Sequence, residues 1–253
     1  MRYWISKAAL GLALVTALPA HAAEVKVAVS SNFSAAIHAL APKFEQASGH
    51  EVRISTGSTG KLYAQIRNGA PFGVFLAADT RRPRKLDEAG AVAADGRFTY
   101  AQGRIALWSP EPGRVTGPDT LTAGAFRHIA IANPKTAPYG LAAKQTLQGL
   151  GHWKELKGKT VRGENIGQTH QFVASGNAEL GFVALSQISG PNRPDEGSRW
   201  LVPQTHYDPI RQQAVLLKDH ADNPAARALV DYLQGADAAS VIRAYGYALP
   251  ERE

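Results

Sequence analysis

Short apolar runs that end in Ser, Asn, Thr or Gly and pass directly into helix-spaced segments recur along this chain. That alternation commits it to strands joined by helical crossovers. Residues 25–29 (VKVAV) read as a strand, Ser30-Ser31-Asn32 as a turn and helix cap, and Ile37, Leu40, Ala41 and Phe44 fall at helical spacing. Pro42 should kink that helix or shift its edge. Gly49 closes it, and residues 51–55 form the next strand. A second capped helix follows with Leu62 and Ile66 inward, Gly69 ends it, and residues 74–77 (VFLA) form a buried strand. The first half is therefore read as an α/β sheet of parallel order. The loops at the carboxyl ends of its strands carry Ser31, Asn32, Ser58 and Thr59, at the edge where such sheets bind ligands.

A second set of strand-loop-helix units follows. Strands are expected at 105–108, 128–132, around Val161 and at 181–184. "PKTAPYG" leads into a helix from about Leu141, and "GENIGQTH" leads into another. Residues 213–217 read as a last strand, with closing helices centred on 225–233 and 238–244.

The first residues read as an export signal. Arg2 and Lys7 supply a positive start, residues 8–18 are apolar but short for a membrane span, and Ala20-His21-Ala22 is an A-x-A cleavage site after Pro19. Residues 1–22 are thus expected to be a signal peptide, with the mature chain beginning near Ala23. The chain has no cysteine, which excludes disulfides, thiolate metal sites and cysteine nucleophiles. Its formal charge is +7, but the basic residues are scattered. The one dense run, Arg81-Arg82-Pro83-Arg84-Lys85, has no aromatics to stack on bases, so it reads as solvated surface and not as a nucleic-acid site.

The stretch 55–66 (STGSTGKLYAQI) admits three chemistries. Ser58-Thr59-Gly60-Lys61 fits the S-x-x-K nucleophile pattern of penicillin-binding enzymes, but the companion motifs, Ser30-Ser31-Asn32 and Lys135-Thr136-Ala137, come in the wrong order and setting. A phosphate-binding P-loop needs Gly earlier than Gly57 and a hydroxyl residue where Leu62 stands. The eight histidines form no metal-binding pair of helical spacing, and Asp79 reads as a turn or cap. What remains is an anion cradle. Helix N-termini offer unpaired N–H groups and a partial positive charge, Ser and Thr add hydroxyl donors, and Gly admits close backbone approach. Four such starts occur, Ser31-Asn32, Ser58-Thr59-Gly60, Tyr139-Gly140 and Ile166-Gly167. Each alone is an ordinary cap; the case rests on all of them together.

With these loops in view the sequence resembles the periplasmic molybdate-binding proteins of ABC transport systems. The resemblance runs through "VAVSSNFSAAI" (27–37), "GSTGKLYAQIRNGAPFGVFLAAD" (57–79), "ANPKTAPYGLAAKQTL" (132–147), "GENIGQ" (163–168), "SGNAELGFVALSQI" (175–188) and "IRAYGY" (242–247). It implies a type II two-lobed binding protein, with mixed sheets flanked by helices and a ligand cleft between the lobes. The first lobe would comprise 24–103 and 217–253, and the second 104–216. It further implies that Ser31, Asn32, Ser58 or Thr59, and the backbone N–H groups at Tyr139 and Ile166 hold a tetrahedral oxyanion, molybdate or tungstate. Three departures stand out: Gly73 replaces a usual Asp, Asn32 stands where some members have Ser, and Ala184 stands where some members place a tyrosine hydroxyl on the ligand.

The resemblance implies a receptor and not an enzyme, with no cofactor and no direct metal ligands. Its partners would be an ABC permease and its ATPase, with membrane contact only through that permease, and it would be a periplasmic monomer. Two other readings stay open at this point. One is the same fold holding sulfate, phosphate or an organic acid, for which Arg162 is the nearest candidate. The other is a secreted hydrolase using Ser58 and Lys61.

Overall fold

The computed structural model describes residues 22–122, 126–191 and 196–250. Apart from Ala22, the expected signal segment lies outside them. Among the described residues no helix is long and apolar enough to cross a membrane.

The described residues form two five-stranded sheets. In the first, β1 (Glu24–Ser30) lies between β2 (Glu51–Gly57) and β3 (Val74–Leu76), parallel to both, with Val27 opposite Ile54 and Val74. The helices α1 (Ser34–Ser48), α2 (Thr59–Arg67) and α3 (Arg81–Glu88) follow β1, β2 and β3 in turn. The parallel order expected for the first half holds for these strands. The late strand β10 (Ile210–Leu217) runs antiparallel between β3 and β4 (Val92–Gly103), so β4 points the same way as β1, β2 and β3. Hydrophobic periodicity does not reveal β4 because its sequence, VAADGRFTYAQG, is half polar and breaks at Asp95, a non-glycine residue at φ 55°. Pro42 does not end α1, which continues to Ser48.

The second sheet centres on β6 (Ile129–Ala132) and β8 (Leu180–Ala184), which run parallel, with β7 (Thr160–Gly163) parallel on the outer side of β6. β5 (Ile105–Ser109) runs antiparallel between β8 and the edge strand β9 (Ser198–Leu201). Its helices are α4 (Pro138–Gly149), α5 (Trp153–Leu156), α6 (Ile166–Ala174) and α7 (Leu185–Ile188). The closing pair, α8 (Pro224–Gln234) and α9 (Ala236–Ala244), packs back on the first sheet.

Each sheet is buried on both faces. Phe33, Ile37, Leu40 and Phe44 pack with Leu229 and Ile242 on one side of the first sheet, while Leu62 and Leu86 cover Phe75 and Val215 on the other. In the second, Leu107, Ile131, Leu147 and Phe182 form one core, and Trp108, Val173 and Val183 another. Strands buried on both faces explain the continuous apolar runs IALWS and LGFVA. The chain passes between the sheets at Gly103–Ile105 and returns before β10. The pairing of Ile210 with Gly103 places the return at residue 210, inside the span 104–216 expected for the second lobe.

Candidate ligand-binding site

Helix starts converge where the sheets face each other. β1 ends at Ser30, and a 3-10 turn, Ser31–Phe33, leads into α1. Ser58 is extended, and its Oγ accepts from the Lys61 N–H at 3.4 Å, capping α2. α4 is entered through extended Ala137 with Pro138 in its first turn, where the absent N–H costs nothing. Asn165 caps α6 by accepting from the Gln168 N–H at 3.0 Å. Asn32, Thr59, Tyr139 and Ile166 therefore lie in first turns, whose N–H groups have no intrahelical acceptor.

Ser31, Asn32, Ser58, Thr59, Tyr139 and Ile166 all line one small cavity. Ser30, Gly57, Ala78, Ala137 and Pro138 complete its wall, and among the described residues no charged side chain does. The side chains divide their tasks in a way the sequence did not reveal. The Thr59 hydroxyl is paired with Ser30 Oγ at 2.7 Å, and the Ala78 N–H donates to Ser30 Oγ at 3.1 Å. Ser58, whose Oγ accepts from Lys61, keeps its own proton to donate. Asn32 turns its amide away into a buried network. Its Nδ2 donates to Gln212 Oε1 at 2.8 Å and to Tyr247 Oη at 3.1 Å.

That network lies beneath the cavity, at the crossing between the sheets. Gln212 Nε2 donates to Tyr139 Oη at 3.2 Å, and Tyr100 Oη donates to Gln212 Oε1 at 3.1 Å. Tyr247 Oη and Ser186 Oγ both donate to the Asn32 carbonyl, at 2.7 and 2.9 Å. Burial, and then the neighbouring phenols, push Tyr139 and Tyr100 well above the usual tyrosine range, so both stay protonated. Gly103 leaves room for the Tyr139–Gln212 pair: a Cβ there would lie 2.0 Å from Tyr139 Oη. Ala184, at the end of β8, carries no hydroxyl, and the nearby phenols serve Asn32 instead.

Contacts between the lobes close over the cavity. The Gly167 N–H donates to Ser31 Oγ at 3.3 Å, and the Gly60 N–H to the Thr136 carbonyl at 2.9 Å. At the mouth Lys61 pairs with Glu164, both side chains more than half exposed, and that hydrogen-bonded ammonium lowers the Glu164 pKa. With its ammonium so committed and Ser58 serving as a cap, Lys61 is not arranged as the base of an S-x-x-K nucleophile. Arg162 is exposed on β7 and does not line the cavity.

The basic run 81–85 is corrected at one position. Arg82 is buried, ion-paired with Asp79, and its Nη2 donates to the Lys135 carbonyl at 3.0 Å. On α3 only Arg81, Arg84 and Lys85 of the run face water. Asp79 caps that helix, accepting from the Arg82 N–H at 3.0 Å.

Two helix-flanked mixed sheets joined by crossing strands, closed on a cavity of neutral donors, define a two-lobed binding protein of type II. The chain belongs to the bacterial extracellular solute-binding proteins, whose family model matches residues 25–248. It is 55% identical to the molybdate-binding protein ModA of Azotobacter vinelandii over 95% of this chain and 96% of that one. It is 45% identical to ModA of Rhodobacter capsulatus over 94% of each. Among solved structures, the Azotobacter vinelandii periplasmic molybdate-binding protein superposes with a TM-score of 0.87 at 44% identity, covering 90% of this chain and all of that one.

Proposed function

We propose that this protein is a solute receptor that captures molybdate, and tungstate with it, by closing its lobes on the ion. It then presents the closed form to an ABC permease and its ATPase. It works as a monomer in the periplasm, it is not an enzyme, and the ion is its cargo and not a cofactor. The observation that carries this reading is a cavity lined by helix starts and hydroxyls, with no charged side chain in its wall among the described residues. The names of the relatives support the same ligand.

The chemistry is coherent. A dianion taken into a closed cleft loses its water, and converging N–H and O–H donors replace it. The donors are Ser31, Ser58 or Thr59, Asn32 through its backbone, and the N–H groups of Tyr139 and Ile166 at the positive ends of α4 and α6. Donors alone discriminate against phosphate, which keeps a proton at neutral pH and needs an acceptor. Glu164, the nearest carboxylate in the ligand loops, is held at the mouth by Lys61. Sulfate is the smaller tetrahedron and would leave donors unmet.

A thermal-shift titration tests this. Molybdate or tungstate at ~100 times Kd should add about 2.7 kcal/mol, a rise of roughly 5–10 °C for a chain this size, with none from sulfate or phosphate. A shift with sulfate or phosphate instead would move the substrate. No shift with any oxyanion would overturn the cradle.

A further inference from the structure

Arg82 and the segment Lys135-Thr136 meet at a joint that the ligand-facing groups do not require. Arg82 belongs to the first lobe, where its guanidinium is paired with Asp79. Its Nη2 reaches the Lys135 carbonyl in the second lobe, and the adjacent Thr136 carbonyl accepts from Gly60 of the first. The pieces are in direct contact, since a Cβ on Gly60 would sit 2.9 Å from Arg82 Nη2 and 3.0 Å from Thr136 Cα. Successive carbonyls of the loop entering α4 are thus both gripped from the opposite lobe. This is the loop that leads into Tyr139.

We propose that Arg82 is a positioning residue that holds the closed state: it does not touch the oxyanion but sets how long the ion stays. The proposal rests on the oxyanion reading for its ligand. A charge-assisted bond from a buried guanidinium to a carbonyl is of the strong kind, and it exists only while the lobes are together. Opening must break it, whereas a ligand arriving at the open form meets no such bond. Its strength therefore belongs to dissociation and not to association. The planar fork of arginine is needed because one edge serves Asp79 and the other Lys135. A lysine ammonium is a point charge on a shorter reach and cannot span both.

The test uses the mature chain with Arg82→Lys and Arg82→Met, with Lys61→Met as a control at the exposed pair. Molybdate association and dissociation are followed by stopped-flow tryptophan fluorescence. The lobe separation is read by spin labels on Ala64→Cys and Arg162→Cys, in a chain with no native cysteine. Both Arg82 variants should raise koff about tenfold, leave kon within about twofold and deplete the short label distance, while Lys61→Met changes koff little. Should Arg82→Met fail to fold, Arg82→Lys decides, because it keeps a charge for Asp79 and loses only the reach to Lys135. Unchanged koff and label distances in Arg82→Lys would overturn the proposal. If the unsubstituted chain binds no molybdate, the oxyanion reading falls while the label distances still decide the clasp.

Discussion

At the scale of single residues, the site depends on where side chains are absent as much as on where they are present. Gly60 has no helix-breaking duty, but a Cβ there would press on Arg82 Nη2 at 2.9 Å and on the Thr136 backbone at 3.0 Å, crowding the contact between the lobes. Gly60→Ala is therefore expected to weaken molybdate binding by at least tenfold while leaving the Tm of the unliganded protein unchanged or slightly raised, since Ala is the better helix former. Calorimetric titration beside a thermal melt checks both halves, and a fall in affinity matched by a fall in unliganded Tm would refute it. The backbone donors of the candidate site were legible in the sequence because caps are local: Ser58 serves Lys61, and Asn165 serves Gln168. The partners of Asn32 were not legible. Gln212 and Tyr247 lie 180 and 215 residues away, and no spacing rule links residues that only the finished fold brings together.

At the scale of elements, most of the strands that the sequence shows plainly are continuous apolar runs such as β3, β5, β6 and β8, buried along their whole length. β4 and β9 do not stand out: they border antiparallel neighbours at the sheet margins, and their polar residues blur the pattern. Close packing of α4 on β6 was likewise hidden in a single glycine. A Cβ at Gly140 would stand 2.2 Å from the Ala132 carbonyl oxygen. Gly140→Ala should cost about 1–3 kcal/mol as overpacking, or several degrees of Tm at roughly 2–4 °C per kcal/mol. It should weaken oxyanion binding as well, because Tyr139 rides on the same turn. Gly158, where an added Cβ would meet nothing within 4 Å and φ is not positive, provides the contrast. Gly158→Ala should melt within a degree or so of the parent, and equal losses in both variants would refute the packing argument.

At the scale of the whole molecule, acid stability rests in part on Glu179, just before β8. Burial alone would raise its pKa. The N–H groups of His128 and Arg127, at 2.9 and 3.3 Å, and the Arg127 guanidinium outweigh that burial and bring it from 4.5 to about 2. Its contribution is thus fully present above the unfolded value and is lost as pH falls from about 4.5 towards 2. Denaturant unfolding of the parent and Glu179→Gln should differ most at pH 5.5 and above and converge near pH 2; a gap that stays constant with pH would contradict the assignment. The placing of β10 between β3 and β4 carries a further consequence, for the order in which the molecule can be made. The second sheet has all its strands once Leu201 has been synthesised, but the first cannot knit together until Leu217 has arrived. The lobe that begins on the ribosome first is therefore finished last. Pairings of such long sequence separation form slowly, so the second sheet can close while the first still waits for its antiparallel strand β10.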